Sequence, residues 1–114
     1  MRGDVVWVDL PSAVGRGSVQ SGQRPAVVVS ENPTTATLPV ITIVPGTSSL
    51  VAATRFPLTV TVQPSQSNGL TSPTVFLAFQ VQTVPKTALR RTAGQLSAAD
   101  LQKVESSLRQ ALGL

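Results

Sequence analysis

Histidine, cysteine and tyrosine are absent from the 114 residues of this chain. Without cysteine there is no disulfide framework, no thiolate nucleophile and no cysteine-based metal site. Without histidine, the usual general base near neutral pH and the usual transition-metal ligand are missing as well. Chemistry is left to Arg, Lys, Ser, Thr, Asp and Glu, or to the substrate itself. No apolar stretch approaches the roughly 18 residues that span a bilayer. The opening Met1-Arg2-Gly3-Asp4, with a further acid at Asp9, is unlike a secretory signal. The expectation is a cytoplasmic protein that meets no membrane.

Acids are also scarce, and their placement is informative. They are Asp4, Asp9, Glu31, Asp100 and Glu105, so residues 32–99 hold none, while Arg55, Lys86, Arg90 and Arg91 lie inside that span. The net charge is +4. Such an imbalance suits a polyanionic or acidic partner.

What is present reads as one globular domain, 1–114. Hydrophobic residues make up 41% and charged residues 12%, a composition that folds, at a length that supports a single core. "DVVWVDL" (Asp4 to Leu10), rich in β-branched and aromatic residues, predicts a first strand. A long polar loop from Pro11 to Gln23 follows, of a length that is usually functional or disordered. "PAVVVS" predicts a second strand opened by Pro25, at the position where a strand tolerates proline. "PVITIVP" (Pro39 to Pro45) is apolar on both faces and predicts a central strand. "GTSSLVAATR" reads as a second polar loop, and "FPLTVTVQ" as a half-exposed strand. Asn68-Gly69 is a strong hairpin signal. "PTVFLAFQVQTVP" (Pro73 to Pro85) supplies one or two more strands, and a helical turn is expected near Lys86 to Arg91. Ser97 with Asp100 resembles a capping box. Leu101, Val104, Leu108, Ala111 and Leu112 then recur at helical spacing and predict one amphipathic helix from about Ala98 to Leu112. The plan is about six strands and a terminal helix, a small barrel-like α+β domain.

The segments "RGDVVWVDL", "GQRPAVVVS", "VPGTSS", "NGL" and "FQVQTVPKTALRRTAGQLS" resemble, in order and spacing, the MazF/PemK family, the toxin halves of type II toxin–antitoxin pairs. The resemblance covers nearly the whole chain. It implies a compact SH3-like barrel of the CcdB/Kid/MazF type, mostly β with a C-terminal helix, assembled as a homodimer. It implies a sequence-specific endoribonuclease that cuts single-stranded mRNA through 2′-hydroxyl attack, needs no metal or other cofactor, and is held by an acidic antitoxin of MazE type.

Carried over residue by residue, the family's catalytic arginine and threonine fall on Arg24 and Thr47, and its groove glutamine on Gln80, at the end of the fifth strand. Arg16, Gln20, Gln23, Ser48, Ser49 and Arg55 join Gln80 as RNA-binding candidates. A guanidinium suits this role because its paired donors match the non-bridging oxygens of a phosphorane and it stays charged. It is a poor base, so Arg24 is read as a transition-state stabiliser. Two departures stand out. Val19 and Phe79 occupy positions where relatives often carry acids, which makes this groove more apolar and more basic than usual.

Other readings remain at this point. Arg24 could be tied to loop carbonyls, and Thr47 and Ser48 could be ordinary turn residues. Trp7 reads as core rather than a stacking platform, and Arg90 and Arg91 as a solvated face or dimer rim. The alternative function is a CcdB-type toxin, which shares the fold but inhibits a protein such as gyrase.

Overall fold

A computed structural model describes residues 1–10, 23–30 and 32–114. Among the described residues seven strands and two α-helices follow one another: β1 (Asp4–Asp9), β2 (Gln23–Val28), β3 (Val40–Thr47), α1 (Val51–Arg55), β4 (Thr59–Val62), β5 (Thr74–Leu77), β6 (Gln82–Pro85), β7 (Leu89–Gln95) and α2 (Ala98–Leu112). The sheet is antiparallel, in the order β4-β5-β3-β2-β1-β7, with β6 branching from β3. As its two-sided apolar pattern predicts, β3 is central. Its first half (Val40 to Ile43) pairs with β6, and its end (Gly46, Thr47) pairs with β5.

Both faces of this sheet are covered. Val5, Val27, Val44, Val60, Val62 and Phe76 form one core layer with Val104 of α2. Val6, Val8, Ala26, Val28, Ile41, Ile43 and Val84 form the other. A smaller cluster of Val75, Leu77 and Ala52 seats α1 beside the end of β3. The unbroken valine runs of β1 and β2 reflect burial on both sides. Helix α2 has the expected bounds. The Ser97 hydroxyl accepts from the Asp100 N–H, and Gly113 ends the helix in the left-handed region at φ 72°. The Arg2–Glu105 ion pair ties it to the start of the chain.

The mostly β plan with a terminal helix is met. Among the described residues no ladder closes the sheet into a barrel: the path runs from β4 to β7, and β7 reaches the β4–β5 connection through the Gln95 N–H on the Ser67 carbonyl at 2.8 Å. Three expectations are corrected. Pro25 lies inside β2 rather than at its first position, opposite Trp7 of β1. "GTSSLVAATR" is not wholly loop, since its second half folds as α1 over buried Ala52. The helical turn near Lys86 is a single 3-10 turn ending at Ala88, after which "LRRTAGQ" is strand β7. That stretch has no apolar period to betray it. It is a strand because the open side of β1 pairs with it, with two register shifts. Its arginines are the charges that commonly blunt a sheet edge.

Asn68-Gly69 does sit in the β4–β5 hairpin, though not as a two-residue turn. Buried Asn68 accepts from the N–H groups of Ser65 and Leu70 and donates to the Gln63 carbonyl, each at 2.9 Å. Gly69 has φ +69°, and a Cβ there would meet the Ala93 carbonyl oxygen at 2.1 Å. Its position against β7 therefore admits no side chain.

Candidate functional site

Arg24 and Thr47 come together at the ends of adjacent strands. The β2–β3 register pairs Ala26 with Pro45, Val27 with Val44 and Val28 with Ile43. Continued back along β2, it sets Arg24 across from Thr47. The Arg24 side chain is half-buried and donates from Nε and Nη2 to the Gly46 carbonyl, at 3.3 and 3.2 Å. This carbonyl contact is the tie that the structural reading of Arg24 expected. It also leaves part of the fork unused. A guanidinium has five N–H donors, and the terminal edge formed by Nη1 and the outer N–H of Nη2 makes no bond to the described residues.

The charge is equally unanswered. Among the described residues the ion pairs are Met1–Asp4, Arg2–Glu105 and Arg90–Asp9, none of which reaches Arg24. Burial lowers the pKa of this guanidinium from arginine's ordinary value, which starts far enough above neutrality for the cation to persist. A partly desolvated cation without a carboxylate is a site that an anion stabilises.

Thr47 is half-buried at the end of β3, and its hydroxyl oxygen accepts the Ser49 N–H at 3.1 Å. The turn reading of Thr47 is therefore correct as geometry. It does not compete with a role in binding, because accepting one bond orients the hydroxyl and leaves its hydrogen free to donate. Ser48 and Ser49 follow, both exposed.

The remaining candidates surround this point unevenly. Gln23 is exposed as the first residue of β2, opposite Asp9. Arg55 is not in a loop but ends α1, where its guanidinium stands 5.6 Å from the centroid of the Phe56 ring. Gln80 does not end the fifth strand. Strand β5 stops at Leu77, and Gln80 closes the following 3-10 turn, exposed. Arg16, Val19 and Gln20 lie outside the described residues. Trp7 is half-buried beneath the Arg91 guanidinium, 5.3 Å from its ring centroid, and Arg90 is paired with Asp9.

One feature escaped the sequence reading. Phe56 and Phe79 meet at 5.2 Å between centroids, tilted by 43°, and are 41% and 37% exposed. Leu50 and Val51, at the start of α1, are also exposed. Phe79 stands out in the sequence by itself, whereas Phe56 is distant from it in the chain and carries no motif. Among the described residues no group of three or more Asp or Glu gathers as a metal site.

Residues 1–112 match the family of PemK-like, MazF-like toxins of type II toxin–antitoxin systems. The chain belongs to this family. Endoribonuclease MazF9 of Mycobacterium tuberculosis is 36% identical, in an alignment covering 99% of this chain and 96% of that protein. The crystal structure of MazF from Deinococcus radiodurans superposes with a TM-score of 0.74 at 26% identity, over 99% of this chain and 96% of that one. A MazE–MazF structure from the same organism matches with a TM-score of 0.70 at 26% identity, over 98% and 94% of the two chains. The MazF-like fold is thus a mostly β antiparallel sheet with a C-terminal helix. No helix among its described residues is long and apolar enough to cross a membrane.

Proposed function

We propose that this MazF-type endoribonuclease toxin cleaves single-stranded RNA, mRNA in the cell, at the junction of Arg24 and Thr47. The observation that carries the reading is the half-buried Arg24 cation, which has no carboxylate partner among the described residues and keeps one two-pronged donor edge free. The 2′ oxygen loses its proton as it bonds to phosphorus. The 5′ oxygen leaves and takes up a proton, so the products are a 2′,3′-cyclic phosphate and a 5′-hydroxyl. In between, extra negative charge sits on the non-bridging oxygens. The free Arg24 edge and the Thr47 hydroxyl bind those oxygens, and positioning with electrostatics does the rest.

Ser48, Ser49, Arg55, Gln80 and Gln23, with Arg16 and Gln20, hold the strand on either side. Bases stack on Phe56 and Phe79, since aromatic faces accept unpaired bases of any identity. This chemistry needs no resident metal. Purified protein incubated with a long single-stranded RNA in EDTA should therefore still produce fragments. RNA left whole under those conditions overturns the metal-free reading, and the CcdB-type alternative requires it to stay whole with or without metal.

The protein acts as a cytoplasmic homodimer whose cognate antitoxin is acidic and of MazE type. The solved MazE–MazF pair of the same fold supports such a partner, as does the acid-free span 32–99. A segment mixing carboxylates with apolar side chains would set its acids against Arg24 and Arg55 and its apolar groups against Phe79 and Val19. Folding on binding lets such a segment cover a large surface. A peptide from the acidic end of an antitoxin encoded beside this toxin should then inhibit cleavage competitively at two concentrations of a short RNA. Purely noncompetitive inhibition would show that the two ligands do not share the groove.

A further inference from the structure

The Gly46 carbonyl that grips Arg24 is available for a reason found one residue along the chain. The Val29 N–H donates to the Thr42 carbonyl at 3.0 Å, which continues the β2–β3 register outward from Val28 and Ile43. In an antiparallel ladder, hydrogen-bonded pairs alternate with non-bonded ones. Counting back from Val29 and Thr42, the bonded positions are Val27 with Val44, then Pro25 with Gly46. The donor due to the Gly46 carbonyl is thus the backbone N–H of residue 25. Proline has none. The carbonyl is left without its ladder partner, and the Nε and Nη2 groups of Arg24 take it instead.

Residue 46 is held in place from the other side. It pairs with Phe76 of β5, and a Cβ on it would lie 2.7 Å from Thr74 Cγ2 and 3.0 Å from the Phe76 ring. The carbonyl is therefore a fixed anchor, and the arginine is the part that adjusts to it.

We infer that Pro25 is a positioning residue for Arg24: by withholding an N–H it frees the Gly46 carbonyl, which clamps one edge of the guanidinium and aims the other at the scissile phosphate. This rests on the reading of Arg24 as the group that binds the reacting phosphate. An arginine tethered by one edge loses little further freedom when the other meets its anion, which is the value of a preorganised donor.

The test is Pro25→Ala, which restores the missing N–H. The new ladder bond competes for the Gly46 carbonyl and releases the guanidinium. The melting temperature should stay close to wild type, while kcat falls by about tenfold to a hundredfold, the scale of a misplaced catalytic group. KM should change by no more than about twofold, because most of the RNA-binding surface is untouched. In an Arg24→Ala background the same change should produce no further loss from the residual rate, since positioning acts only through Arg24. A folded Pro25→Ala protein with wild-type kcat overturns the inference, as does an equal fold-loss in both backgrounds. Full activity in Arg24→Ala alone would instead overturn the underlying reading. Should Pro25→Ala fail to fold, hydrogen exchange at the Arg24 Nε–H of the wild-type protein decides. Slow exchange supports the clamp, and exchange at the rate of a free arginine overturns it.

Discussion

Arg24→Ala is expected to fold and to cleave RNA at least about a hundredfold more slowly than the wild type. Losing one preorganised donor to a developing oxyanion typically costs about 2.7–4 kcal/mol of transition-state stabilisation. In the proposed site Arg24 supplies a full charge, half-buried and with no carboxylate partner among the described residues. The structural cost is smaller. Removing the side chain leaves the carbonyl of buried Gly46 without its two arginine bonds, a loss of about 1–3 kcal/mol, so melting should fall without preventing folding. Arg24→Lys should be nearly as slow, because an ammonium cannot hold a carbonyl with one edge and a phosphate with another. Thr47→Ala should lose less, about fivefold to tenfold, since a neutral hydroxyl contributes about 1–1.4 kcal/mol. Single-turnover rates at saturating RNA, read beside melting curves, separate these effects. A folded Arg24→Ala protein at wild-type rate would remove this residue from the chemistry.

The second large effect lies in the substrate. An RNA with a single 2′-deoxy nucleotide at the scissile position should bind about as well as its parent and stay whole indefinitely. The chain has no histidine or cysteine, and in the proposed mechanism the nucleophile belongs to the RNA. Deleting that oxygen removes the attacking atom while every phosphate remains for Arg24, Arg55 and the serines after β3. The deoxy-substituted strand should thus act as a competitive inhibitor with a Ki near the KM of the parent. Mass spectrometry of the parent's fragments should show the cyclic phosphate and the 5′-hydroxyl. Cleavage of the substituted strand would falsify 2′-hydroxyl attack and require a nucleophile from water or protein.

Much of this protein was legible in one dimension because its signals are local. The valine runs of β1 and β2, the two-sided β3, and the Ser97 cap with its helical stripe each depend on near neighbours in the chain. Five short segments in order were enough to bring the family into view, and with it Arg24 and Thr47. Other features depend on partners far away in sequence. "LRRTAGQ" is a strand only because β1 offers an open side. Residues 51–55 form a helix where Ala52 finds Val75 and Leu77 to bury against. Phe56 gains its meaning from Phe79.

The Arg24–Pro25 pair divides along the same line. From the sequence alone it follows that the chain has an arginine beside a residue that cannot donate, in a polypeptide without histidine or cysteine. Chemistry by charge and positioning is what that inventory allows. Which carbonyl goes unpaired, and therefore where the guanidinium is clamped, depends on the register between β2 and β3 and on the ring of Phe76 behind Gly46. Register is a property of two strands packed into one core, because a one-residue slip would move each buried valine from one core layer into the other. No single strand carries that information, so the tertiary fold alone sets Arg24 across from Thr47.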